Sequence, residues 1–201
     1  MSEQDVTDSE TPLAIPILPH AIISIYIDCI QSYNKGDCQN CYVCYQEVFL
    51  NMEVYELTKE HTDEHIHKTA DLLMGQMESI GGPNAYENMV TVIGASMDEN
   101  SHAYTFVAQD DDRILGAAFL NVQKSLMKGG NFIWLNDLYV NVKHRNQGIA
   151  KKLLLYVVHW AEQHDMKGIE LETGVNNQAT KALYNSLGFY DVVSKRYGFQ
   201  F

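Results

Sequence analysis

At 201 residues, with 46% hydrophobic and 20% charged residues, the chain has a globular composition and enough length to bury a full core. A formal net charge of -12 argues against non-specific nucleic-acid binding, which needs a basic surface, and suits a cationic partner. Residues 1–11 carry Glu3, Asp5, Asp8 and Glu10 without a base, the reverse of a secretory leader. The apolar run at 12–30 is interrupted by Pro12, Pro16, Pro19, His20 and Asp28 and falls short of the ~20 apolar residues of a membrane span. A cytoplasmic location with reduced thiols is the resulting expectation.

In chain order, 1–11 read as a disordered acidic tail. Ile22, Ile23, Tyr26, Ile27 and Ile30 recur at helical spacing. After the break at 34–37, Cys41, Tyr45, Val48, Phe49 and Met52 share a second helical face. Residues 12–51 therefore read as a helical extension in front of a main domain at 52–201. A short strand is expected at 52–57. A helix follows with Ile66, Ala70, Leu73, Met77 and Ile80 on one stripe, stopped by Gly81-Gly82-Pro83-Asn84. A second helix carries Tyr86, Met89, Val90, Ile93 and Met97. Strands at 104–109, 114–123 and 132–140, separated by turns at 110–113 and 128–131, form an antiparallel meander. A helix opening at Gly148 buries Ile149, Leu153, Val157 and Trp160 and ends near Asp165. A strand at 169–175 should lie parallel to its predecessor, because a helix crosses between them. A helix through Ala182, Leu183, Tyr184 and Leu187 stops at Gly188, and strands at 189–193 and 196–201 close the chain. The expected order is β-α-α-β-β-β-α-β-α-β-β.

The informative stretch is 134–150. An apolar strand pattern (Trp134, Leu135, Leu138, Val140) passes through a basic turn (Lys143, His144, Arg145, Gln147, Gly148) directly into a helix. The first N–H groups of a helix have no intrahelical partner, so such a junction is an anion site. Neither G-x-x-x-x-G-K-[ST] nor G-x-G-x-x-G occurs, so the P-loop and dinucleotide readings fail.

Three features together resemble the GNAT superfamily of acetyl-CoA-dependent N-acetyltransferases across about 52–201. Arg145-Asn146-Gln147-Gly148-Ile149-Ala150 matches the family's pyrophosphate signature. Leu135-Asn136-Asp137-Leu138-Tyr139-Val140 resembles the strand before it. The run from Asn177 through Tyr184 to Leu187-Gly188-Phe189 resembles its second signature. The resemblance implies an α+β fold: a mixed, mostly antiparallel sheet flanked by helices, here with an N-terminal helical extension. It implies acetyl-CoA as co-substrate, contacted by Leu138, Tyr139, Val140, Arg145, Asn146, Gln147, Gly148, Ile149, Ala150 and Asn177. Backbone N–H groups of 147–150 would cradle the pyrophosphate, and the small Gly148 and Ala150 would allow close approach. A bulge in the strand before the turn would splay it from its parallel neighbour, so that pantetheine lies along 138–140 as an added strand. An N–H near Tyr139 or Val140 would then face the thioester oxygen.

By the same resemblance Tyr184 is the general acid that protonates the departing thiolate, though a buried helix-face Tyr is the plain structural alternative. Asn177 fits a pantetheine contact and a helix N-cap equally. The polyamine and histone-type subgroup often has Glu-Asp where this chain has Asn136-Asp137, and Asn136 cannot accept a proton. Asp137 is the leading base, directly or through water, with a carboxylate that satisfies bulge N–H groups as the structural alternative. Glu172 is the runner-up base, and a water chain without a single base is the third arrangement. The expected acceptor is a small cationic amine such as a polyamine or aminoglycoside. Glu60, Asp63, Glu64 and Asp71 would attract it if their face lines the cleft, and would otherwise form a solvated helix face. Protein lysines or N-termini are the competing acceptors, and a non-catalytic acyl-CoA-binding module is the competing class. No membrane or nucleic-acid partner is expected, and a homodimer is compatible with the reading. Cys29, Cys38, Cys41 and Cys44 read as packed or free thiols ahead of a zinc or redox site, and His61, His65 and His67 do not form H-E-x-x-H. No metal site is expected.

Overall fold

A computed structural model of the chain describes residues 52–77, 82–193 and 197–198. The acidic tail, the helical extension with its cysteines and most of the expected strand at 196–201 lie outside the described residues. Among those described, five strands and four helices follow one another: β1 (Met52–Glu56), α1 (Asp63–Met77), α2 (Ala85–Ser96), β2 (Ala103–Asp110), β3 (Arg113–Ser125), β4 (Gly130–Val140), α3 (Ile149–Gln163), β5 (Ile169–Leu171) and α4 (Gln178–Ser186). A 3-10 turn, Val142–His144, links β4 to α3. The sheet order is β1-β2-β3-β4-β5, antiparallel throughout except for the parallel β4–β5 pair. The expected mixed, mostly antiparallel sheet flanked by helices is what the chain forms.

Period-2 alternation divides the strand side chains between two cores. Phe106, Ala108, Ala118, Leu120, Ile133 and Leu135 face α3, where Leu153, Leu154 and Val157 are fully buried. Val107, Ala117 and Tyr139 face α1 and α2, against Ile66, Ala70, Leu73 and Ile93. A buried polar pair between α2 and β2 is satisfied internally, since the Ser96 and Thr105 hydroxyls bond at 2.7 Å. The helix α3 can lie this close because of Gly116, where a Cβ would come within 2.9 Å of Leu153 Cδ1.

β4 carries a bulge, and it decides everything downstream. The β3–β4 register steps from Leu120↔Leu135 to Phe119↔Asp137, leaving Asn136 as the extra residue. Leu135 and Leu138 are an odd number of residues apart, yet both pack on the α3 side. The bulge has reversed the parity, so Asp137 points to the α1 side instead of following Leu135. Asn136 points the same way as Asn121, whose Nδ2 donates to Asn136 Oδ1 at 2.7 Å.

Two strand expectations need correction. Pairing of β5 with β4 stops at Leu171↔Leu135, so the strand expected at 169–175 is only Ile169–Leu171. Beyond that point the bulge turns β4 away, and 172–175 have no neighbouring edge to pair with among the described residues. Residues 189–193 form no strand. Tyr190, Val192 and Val193 are exposed there, since an alternating pattern becomes a strand only when an edge receives it.

Candidate active site

The downstream half of β4 has a paired edge and an open one. Asn141 N–H donates to Leu115 O at 2.9 Å across to β3. Amide direction alternates along a strand, so the N–H groups of Tyr139 and Asp137 also point toward β3. Those of Val140 and Leu138 point to the opposite edge, which β5 has left, and have no partner among the described residues. Of the two residues expected to offer an N–H to a thioester oxygen, the geometry therefore favours Val140. Tyr139 instead contributes its ring to the core: it is buried, and its hydroxyl lies where a Cβ on Gly75 would come within 2.7 Å.

The turn from β4 into α3 is held by Arg145. Its Nε donates to Val140 O at 3.2 Å, and its guanidinium lies 5.4 Å from the centroid of the Tyr139 ring. Arg145 thus fixes the strand end to the turn, a positioning role that its place in the signature does not reveal. Asn146 and Gly148 take left-handed φ values of 61° and 79°. Gly148 is the N-cap of α3 and supplies no side-chain cap. As a result the backbone N–H groups of Asn146, Gln147, Gly148, Ile149 and Ala150 have no hydrogen-bond partner among the described residues. Successive unpaired N–H groups at a helix start are what a pyrophosphate accepts from. Lys152, one turn on, is committed elsewhere: its ammonium donates to Met52 O, and burial pushes its pKa down.

Tyr184 lies on the α3 side of the sheet. Its ring is buried and packs against Phe189, with centroids 5.8 Å apart. Among the described residues its hydroxyl has no hydrogen-bond partner. Burial raises its pKa, which keeps it a proton donor. Asn177 is the N-cap of α4: its Oδ1 accepts from Thr180 N–H at 3.2 Å. The amide nitrogen is not used by the cap and retains its donors.

Asp137 lies on the other side, half-buried in the wall of a cavity of about 510 Å³ between β3, β4, α1 and α2. Burial raises its pKa, and a hydrogen bond from Gln76 Nε2 to Oδ1 at 3.2 Å pulls the other way. Gln76 is a site residue that sequence reasoning missed. The available signal was a polar residue beside Leu73 and Met77 at the edge of the apolar stripe of α1. The acid-rich segment at 60–67 does not contribute to the cavity wall. Within it Glu64 pairs with Lys68 Nζ at 2.9 Å, which also bonds Asp112 at 2.5 Å, and His67 Nδ1 lies 2.9 Å from Tyr86 OH, while Glu60 and Asp63 are exposed. This is the solvated helix face of the two alternatives. Glu172, the runner-up base, lies past the end of β5 on an exposed segment. Among the described residues no cluster of His, Cys, Asp or Glu has the makings of a metal site, and no helix is long and apolar enough to cross a membrane.

An unpaired strand edge next to an anion-accepting helix start, with an acid on one side and a carboxylate pocket on the other, matches what the motifs imply. A family model, the acetyltransferase (GNAT) family, covers residues 66–189. The chain belongs to this family. GNAT enzymes use acetyl-CoA as acetyl donor, and the N–H groups at 146–150 and the open edge at 138–140 fit its pyrophosphate and its pantetheine arm. The chain is similar to N-acetyltransferase 8F1 of Rattus norvegicus, 31% identical over 90 residues, which span 45% of this chain and 41% of the relative. It is similar to N-alpha-acetyltransferase 30 of Schizosaccharomyces pombe, 33% identical over 88 residues, 43% of this chain and 57% of that one. In fold it resembles an aminoglycoside N-acetyltransferase in complex with CoA, with a TM-score of 0.60 and 18% identity over 74% of this chain and 94% of that one. The match thus spans about two fifths of the rat relative's length and just over half of the yeast relative's.

Proposed function

We propose that this protein is an N-acetyltransferase that moves the acetyl group of acetyl-CoA to a primary amine by direct attack, the amine entering as a cation from the Asp137 side. The ammonium loses two protons on the way to an amide: Asp137 takes the first, which frees the nitrogen lone pair for attack, and the second passes from the nitrogen of the adduct to water. The C–N bond forms as the C–S bond breaks, the Val140 N–H receives the negative charge developing on the carbonyl oxygen, and Tyr184 gives its proton to the departing thiolate. Both side chains return to their starting states by exchange with solvent. The observation that carries this reading is the bulge at Asn136. One extra residue opens the β4 edge for the thioester and turns Asp137 toward the acceptor cavity. Asp137 accepts a bond from Gln76 rather than from bulge N–H groups among the described residues, which favours the base role over the purely structural one.

The acceptor class in this reading is a small cationic amine, the head group that polyamines and aminoglycosides share. A protein N-terminal amine is the second acceptor reading, favoured by the similarity to an N-alpha-acetyltransferase. Thiol release from acetyl-CoA over a panel of amines tests the reading. Tyr184→Phe is expected to lower kcat by about 10²-fold at saturating acetyl-CoA. Full activity of that variant removes Tyr184 as the acid. Binding of CoA with no turnover of any amine would make the protein an acyl-CoA-binding module instead.

A further inference from the structure

The wall of the acceptor cavity narrows what kind of amine it takes. Leu73, Met89, Val92, Ile93 and Phe119 supply apolar surface, and Gln76, Asn84 and Asn88 are neutral amides. Asp137 is the only ionisable group among the described lining residues. The cavity volume of about 510 Å³ falls within the roughly 300–1,000 Å³ typical of small-molecule sites. A chain of net charge -12 draws any cation to its surface, but entry to the cavity imposes a stricter condition. One ammonium finds a carboxylate. Among the described lining residues a second or third would meet only aliphatic carbon and neutral amides, with no counter-charge to offset its desolvation.

Building on the acetyl-transfer reading, we propose that the acceptor is a singly charged primary amine bearing an apolar substituent, with its nitrogen at Asp137 and its substituent among Leu73, Met89, Val92, Ile93 and Phe119. Polyamines and aminoglycosides are then poor acceptors, although they share the head group. A free small amine and the first residue of a peptide offer the same chemistry.

The test measures kcat/KM by thiol release for straight-chain alkylamines from butyl to octyl, 2-phenylethylamine, spermidine, kanamycin, and a lysine-free peptide with an apolar first residue. The alkyl series is expected to rise roughly threefold to fourfold per methylene until the cavity is filled. The best apolar amine or the peptide should exceed spermidine and kanamycin by at least about tenfold, and whichever of the free amine and the peptide leads identifies the source. A flat alkyl series, or spermidine or kanamycin matching the apolar acceptors, overturns the proposal while leaving acetyl transfer intact. No turnover of any acceptor, with acetyl-CoA binding retained by calorimetry, overturns both readings together. A variant tests the role of charge directly. Val92 is 48% exposed on α2, so Val92→Glu should fold and adds a carboxylate to the wall. The ratio of spermidine to octylamine kcat/KM should rise about tenfold, and an unchanged ratio counts against the proposal.

Discussion

The two halves of β4 differ by one residue in pairing and by nearly everything in consequence. Upstream of Asn136, Ile133 and Leu135 lie between β3 and β5, with both edges bonded and their side chains buried in the α3 core. Downstream, 137–140 keep only the β3 edge, and the side chains diverge in role. Asp137 faces the cavity, Tyr139 packs under α1, and Leu138 and Val140 close the α3 core. The same strand is scaffold before the bulge and site after it. A bulge achieves this because it changes face and edge together: the extra residue flips side-chain parity and ends the parallel pairing within one step. Substitutions on either side of Asn136 should therefore report on different quantities, stability upstream and catalysis or cofactor affinity downstream.

The largest effect is expected at Asp137. Asp137→Asn should lower kcat by about 10²–10³-fold, within the range for loss of a general base. Burial holds the carboxyl above its ordinary value, with the Gln76 bond opposing. A base works when deprotonated, so the wild-type rate should fall as pH falls through that raised value, and the variant should lack this limb. Taking the ratio of the two rates against pH cancels the acceptor's own titration, and a pH-independent ratio would remove Asp137 as base. The stability consequence has the opposite sign. A carboxyl whose folded pKa is raised contributes stability at acid pH that is lost as pH rises through the folded value. At neutral pH the Asn variant should therefore melt no lower than wild type.

Next in size is a pair that separates scaffold from site. Leu135→Ala deletes a side chain that is 3% exposed and should cost about 2–5 kcal/mol in urea unfolding, with KM for acetyl-CoA unchanged in the folded fraction. Leu138→Ala, three residues on and half-buried beside the open edge, should cost less stability and raise that KM several-fold. If both variants behave alike, the bulge does not divide scaffold from site.

How much of this was legible depended on whether a feature is local. The signature at 145–150 was readable because an anion-accepting turn needs a particular backbone. Gly148 and Asn146 do take left-handed φ, and the N–H groups there are unpaired among the described residues. The meander and the buried stripe of Ile149, Leu153, Val157 and Trp160 were readable from period alone. Features set by a neighbour were not. The lengths of β5 and of the expected strand at 189–193 depend on whether an edge is present to receive them, and their own alternation says nothing of that. Gln76 meets Asp137 across 61 positions, and no spacing rule connects the two. The acids at 60–67 left two alternatives open for the same reason: only the cavity wall, to which they do not contribute, separates a cleft-lining face from a solvated one.

A smaller effect tests the turn itself. Gly148→Ala places a Cβ in a left-handed conformation at φ 79°, at a cost of roughly 1–2 kcal/mol. If that conformation aims the unpaired N–H groups at a pyrophosphate, KM for acetyl-CoA should rise about tenfold with kcat at saturation little changed. Gly188→Ala is the control. It imposes the same kind of strain at φ 87° past the end of α4, away from the turn, and should lower Tm without moving KM. Equal KM for the two variants would mean that the turn does not hold the cofactor.

The smallest expected effect separates two roles at one residue. Asn177 caps α4 through Oδ1, which leaves its amide donors for the pantetheine arm. Asn177→Ala removes both functions: it should cost about 1 kcal/mol of stability, the usual loss of an N-cap, and raise KM for acetyl-CoA a few-fold. Asn177→Ser keeps an oxygen that caps about as well as Asn but has no amide to reach outward. If the residue serves the cofactor, the Ser variant recovers the Tm and keeps the raised KM. If it serves only the helix, Ser restores both. Because α4 also carries Tyr184, a pure capping role predicts that kcat and Tm fall together in the Ala variant and recover together in the Ser variant. In the dual role, the Ser variant recovers kcat with Tm while the KM for acetyl-CoA stays high.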